Sequence, residues 1–188
     1  MDKAQRFREK MLSLGFEEDR IKSFIQQKMT QGSSGVSNVL GDIGDLGGSV
    51  LSQSGPVTQA FGNFNPRLYK GINKSMTNTG TDIGVPTGTK VALPPGEWEV
   101  VESYSGGGAN SGYGNSILVK DKKTGEKLRF SHLSKVARLK KGDSVRGGKI
   151  VALSGATGNV TGPHLDLEYY DDKGAVRDVL ESRWRRFL

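Results

Sequence analysis

Gly162-Pro163-His164-Leu165-Asp166-Leu167-Glu168 decides how this chain is read. Alternate residues of a strand share a face, so His164, Asp166 and Glu168 point one way and Leu165, Leu167 and Tyr169 the other. The polar face is expected to line a site and the apolar face to enter the core. The chain has two histidines and no cysteine. An aspartate two residues after a histidine is therefore the feature to explain, because a metal-binding strand would carry a second imidazole there.

Working outward, the same texture recurs. The runs "TKVALP" (89–94), "EWEVVESY" (97–104), "NSILVKD" (115–121), "KLRFSHLS" (127–134) and "KIVALSG" (149–155) are short, β-branched or aromatic, and separated by Gly, Asn, Asp and Pro turns. They predict an all-β, compact antiparallel domain over residues 56–179. Upstream, Phe7, Met11 and Leu14 share one helical face and Ile21, Phe24, Ile25 and Met29 another, with Gly15 between as a helix stop. Residues 1–30 are thus predicted to form a small helical hairpin. Two helices this short bury too little apolar surface alone, so they are expected to serve attachment or oligomerisation.

Residues 31–55 turn to Gly and Ser and read as a linker. Val36, Val39, Leu40, Ile43, Leu46 and Val50 nevertheless recur at helical spacing, which leaves open a segment that lies on a groove or a membrane surface. Residues 180–188 read as a basic amphipathic tail with Leu180, Trp184 and Leu188 aligned.

Composition narrows the function classes. No run approaches the roughly 20 apolar residues of a spanning helix, and "MDKAQRFREK" is charged where a secretory signal would be apolar. Cytoplasmic synthesis is the expectation. The net charge of +7 suits a polyanion. Lys and Arg are spread without an accompanying aromatic cluster, so no specific nucleic-acid partner is expected. Without cysteine, a metal would have to be held by His, Asp, Glu or neutral oxygen ligands.

Taken together, "TNTGTDIGVPTGTKVALPPGEWEVV" (77–101), "GYGNSILVKD" (112–121) and the stretch 129–168 through "KGDSVRGGKIVALSGATG" and "TGPHL" resemble the lysostaphin-like (LytM-type) zinc metallopeptidases, which cut peptide cross-links in peptidoglycan. The resemblance implies a zinc site built from a His-x-x-x-Asp segment and the second His of a His-x-His strand, with two further histidines beside the metal. Here Asn78 stands at the first ligand histidine, Asp82 is the ligand aspartate, and Asp166 stands at the second ligand histidine. His132 and His164 match the catalytic-type histidines. The resemblance thus implies a degenerate member with both ligand imidazoles replaced.

An all-oxygen set of Asn78, Asp82 and Asp166 suits a hard divalent cation better than zinc, and only weakly unless Glu168 or carbonyls join it. No cofactor is the expectation, although zinc serves the parent family. The expected function is a non-catalytic module that binds peptidoglycan peptides or a structural protein partner. A phage virion component would be consistent with a wall-directed chain lacking an export signal. The alternative is an active peptidoglycan endopeptidase with an atypical metal site.

Overall fold

The computed structural model describes Glu18 and residues 49–63, 77–106 and 110–188. The chain divides into two units, 1–43 and 44–188, and the described residues other than Glu18 belong to the second. The expected helical hairpin and most of the expected linker lie outside the described residues.

The second unit is an antiparallel β fold. Its strands are Val57–Gln59 (β1), Thr81–Ile83 (β2), Lys90–Ala92 (β3), Glu97–Tyr104 (β4), Asn115–Asp121 (β5), Lys127–Leu133 (β6), Lys135–Val136 (β7), Ser144–Arg146 (β8), Ile150–Leu153 (β9), Leu165–Tyr170 (β10) and Val176–Arg177 (β11). The larger sheet runs β1-β2-β10-β6-β5-β4-β8, with β11 also paired to β10; the smaller is β3-β9-β7. Strand alternation builds the core: Trp98 and Val100 of β4, Ile117 and Val119 of β5, Leu128 and Phe130 of β6, and Leu165 and Leu167 of β10 are buried in one cluster. Val91, Val136 and Val151 of the smaller sheet enter the same cluster.

One strand changes phase, and the change serves the site. In β6 the core positions are Leu128 and Phe130, then Leu133, so strict alternation fails between the last two. The pairing shows why: Asn115 faces Leu133 and Ile117 faces Phe130, which leaves Ser131 and His132 opposite Ser116 alone. His132 takes φ 61°, a left-handed conformation that costs a non-glycine residue about 1–3 kcal/mol. This bulge lets Leu133 return to the core while His132 joins the polar side.

Both ends of the β unit depart from the expected boundaries. The linker was expected to run to Gly55, yet Val50 and Leu51 are buried, Val50 N donates to Phe187 O at 2.7 Å, and Leu51 bridges Val91. The expected tail, residues 180–188, is folded into two 3-10 turns, Val179–Glu181 and Arg183–Phe187. Trp184 is 2% exposed and packs on Trp98 with centroids 5.0 Å apart. Arg183 pins that turn: Nη2 reaches Asp121 Oδ2 at 2.7 Å and Nε reaches Glu126 Oε2 at 2.7 Å, while the guanidinium covers the Trp184 ring. Burial of the apolar residues outweighs the local Gly/Ser and Arg signals at both ends.

Candidate functional site

On the face of β10 opposite the core, Asp166 and Glu168 are 6% and 1% exposed. Carboxylates are almost never buried so deeply without partners. Strand pairing assembles the surroundings. Asp166 sits across from Asp82 on β2 and from Ser131 on β6, and His164 precedes β10 at a bridge to Gly155. The rings of His132 and His164 lie 4.7 Å apart. The structure thus brings Asp82, His132, His164 and Asp166 into one cluster, with Asn78 at its edge.

Backbone carbonyls orient both imidazoles. His132 Nδ1 lies 2.9 Å from Thr157 O, and His164 Nδ1 lies 2.9 Å from Gly162 O. A carbonyl only accepts, so each Nδ1 carries the hydrogen, and in the neutral ring Nε2 is left with its lone pair. His132 Nε2 then faces Asp166 Oδ2 at 3.9 Å, and His164 Nε2 faces Asp82 Oδ2 at 3.8 Å. These separations exceed hydrogen-bonding distance. Thr157 is itself held, its Oγ1 donating to Leu133 O at 2.8 Å and accepting from Asn115 N at 2.9 Å.

Gly80 closes the floor of the cluster. A Cβ at this position would lie 1.9 Å from Asp166 Oδ1, so only glycine lets the backbone pass this close. Asn78 caps the same turn: its Oδ1 accepts from Gly80 N at 3.1 Å, and its Nδ2 donates to Asp82 Oδ1 at 3.2 Å.

Burial sets the electrostatics. It pushes the Asp166 carboxyl well above the usual range, aided by the nearby Asp82 and Glu168 and opposed by Ser131 and Arg129. Burial also raises Asp82, against the pull of His164 and the Asn78 hydrogen bond. Burial lowers His132 to about 4, with the Thr157 hydrogen bond opposing and His164 adding to the shift. His132 is therefore neutral at pH 7.

Glu168 has a different role from its strand neighbour. Thr79 Oγ1 and Tyr113 OH donate to its Oε1, Tyr170 OH donates to Oε2 at 2.6 Å, and Arg129 Nε lies 3.4 Å from Oε2. Both oxygens are committed. The condition under which Glu168 joins a cation site is therefore not met.

The Asp–His cluster thus lies at the start of β10, on an antiparallel β unit. Residues 76–178 match the model of Peptidase family M23, more than half of the chain, and the protein belongs to that family. It is 37% identical over 111 residues to the peptidoglycan DD-endopeptidase ShyA of Vibrio cholerae, a match covering 56% of this chain and 23% of that relative. A zinc-containing peptidase from Vibrio cholerae superposes with TM-score 0.57 at 29% identity, covering 71% of this chain and 38% of its own. The catalytic domain of lysostaphin from Staphylococcus simulans superposes with TM-score 0.54 at 29% identity, covering 67% and 90%. The chain therefore spans about a quarter of the length of the curated relative ShyA.

The family's metal can be tested against the donors present. Zinc sites of the catalytic kind are built on imidazoles. At the matching positions this chain offers an amide and two carboxylates. The Asn78 amide is committed on both atoms, its Oδ1 to Gly80 N and its Nδ2 to Asp82 Oδ1. Asp166 Oδ1 is shut against Gly80. This donor set does not fit zinc.

The backbone contributions of Thr157 and Gly162 and the partners of Glu168 were not found by sequence reasoning. Carbonyls leave no side-chain signal. The hydroxyls of Thr79, Tyr113 and Tyr170 converge only once β10 and the segments before β2 and β5 are in place.

Proposed function

We propose that this chain is a non-hydrolytic M23 module that binds peptidoglycan peptides at the cluster of Asn78, Asp82, His132, His164 and Asp166. One observation carries the reading: where the family's scaffold needs imidazoles, Asn78 is hydrogen-bonded to Asp82 and Asp166 is a buried carboxyl. Magnitude decides the consequence. A zinc ion lowers the pKa of its water from about 15.7 to about 7, which at roughly 1.4 kcal/mol per unit is about 12 kcal/mol toward hydroxide. Two positioned histidines contribute about 10²- to 10⁴-fold, or roughly 3–5 kcal/mol. His132 and His164 do not replace the metal.

The naming of relatives such as ShyA as peptidoglycan DD-endopeptidases supports the ligand class. The second reading, hydrolysis through an atypical metal, is favoured by the retained imidazole pair. Co-sedimentation with purified peptidoglycan, combined with assay of newly released amino groups, separates the two. Binding with no release, with or without added zinc, manganese or calcium, is expected. Metal-dependent release of amino groups would replace the binding reading with the hydrolytic one.

A further inference from the structure

His132, neutral at pH 7, spends its Nδ1 hydrogen on Thr157 O and presents an Nε2 lone pair. His164 spends its Nδ1 hydrogen on Gly162 O, and its neutral ring presents Nε2 in the same way. Asp166 and Asp82 present Oδ2, at 3.9 and 3.8 Å from those nitrogens. No hydrogen bond links the members of either pair at such distances. Asp166 is 6% exposed, and its Oδ1, turned against Gly80, has no hydrogen-bond partner. Its Oδ2 is the oxygen turned toward His132, and a ligand that brings donors and positive charge to that side offsets part of the cost of burying the carboxyl.

We propose that this cluster takes the primary ammonium group of a peptide amine, seated among His132 Nε2, His164 Nε2, Asp82 Oδ2 and Asp166 Oδ2. The inference rests on the peptide-binding reading above and names the group recognised. Spacing favours an ammonium over a small metal ion. Two donor atoms about 2.05 Å from a zinc ion stand about 3.3 Å apart at a tetrahedral angle. The observed separations of 3.8 and 3.9 Å would force that angle open to about 140°.

An ammonium nitrogen reaches its acceptors at about 2.85 Å, and the same separations then subtend about 85°, bending each N–H···acceptor line by only about 12°. Among the described residues no group of three or more His, Asp or Glu side chains is arranged to hold a metal ion. The four side chains are only 9–14% exposed, so a charged head group placed among them is largely desolvated. A planar guanidinium spreads its donors in a fixed fork, whereas an ammonium is a compact point charge.

The amine has two chemical sources in a peptide: the side-chain terminus of a diamino residue and the free α-amino end. Titration of the full chain by calorimetry with four forms of one stem peptide distinguishes them. The forms are unmodified, acetylated on the side-chain amine, acetylated on the α-amine, and acetylated on both. The expected result is at least tenfold weaker binding when one particular amine is acetylated, with the other acetylation neutral. Asp82→Asn should weaken the unmodified peptide at least tenfold.

Equal affinity for all four forms would overturn the ammonium assignment while leaving peptide binding intact. Absence of binding by any form, together with no co-sedimentation with peptidoglycan, would overturn the peptide reading and this inference with it. Stoichiometric zinc binding that displaces the unmodified peptide would assign the cluster to a metal instead.

Discussion

The burial of His132 makes a quantitative demand on stability. Its imidazole is held to about 4 in the folded protein and returns to an ordinary value near 6.5 when the chain unfolds. Between these values the unfolded chain binds a proton that the native chain does not, so stability falls as pH falls from 6.5 to 4 and the loss is complete below 4. The difference of 2.5 units corresponds to roughly 3 kcal/mol at about 1.4 kcal/mol per unit. The raised Asp166 acts with the opposite sign, since there the native state holds the extra proton, and Asp82 does the same.

A comparison isolates the histidine. His132→Asn keeps a side chain that tolerates the left-handed φ of 61° and an N–H for Thr157 O, and it does not titrate. Urea denaturation followed by the fluorescence of Trp98 and Trp184, both in the β core, should be run at half-unit steps from pH 4 to 7.5. The wild type should lose about 3 kcal/mol more than His132→Asn over that range. Parallel pH profiles for the two proteins would refute the claim that this imidazole is buried neutral.

Three further outcomes follow from particular contacts. Gly80→Ala places a Cβ 1.9 Å from Asp166 Oδ1, and the overlap should cost about 1–3 kcal/mol, read as a lower midpoint in the same denaturation assay. Trp184→Ala should cost about 3–5 kcal/mol, because a side chain 2% exposed leaves a cavity against Trp98; a loss under about 1 kcal/mol would mean that the C-terminal turns are not part of the core. Glu168→Gln should lower the titration midpoints of Tyr113 and Tyr170, which burial and this carboxylate hold above the usual phenol value, as followed by ultraviolet absorbance. The same variant should not alter the His132 profile by more than a small fraction, since Glu168 is the smallest contributor there.

Much of this architecture was legible in residue order. The alternation of β10 placed Leu165 and Leu167 in the core and Asp166 and Glu168 on the site face, because period two is a local property of the strand. The β6 bulge was not legible. "RFSHL" keeps plausible alternation through His132, and only the pairing with β5 shows that Ser131 and His132 share one opposing residue. The boundaries failed for a related reason. Gly and Ser report the freedom of a backbone, whereas Val50 is held by Phe187 at the far end of the chain. Long-range contacts of this kind leave no local pattern. Asn78 was placed at the site by resemblance alone, and its double hydrogen bond to Gly80 and Asp82 required coordinates.

The central claim is that replacement of two imidazoles has removed the metal from an M23 scaffold, and zinc content per chain tests it most directly. Elemental analysis should compare the full chain with Asn78→His/Asp166→His, each equilibrated with zinc and then desalted. The account predicts well under one zinc per chain for the wild type. It predicts close to one for the double variant, in which Asp82 and two added imidazoles supply three ligands and leave a fourth position open. One zinc per wild-type chain, lost on Asp82→Ala, would contradict the account.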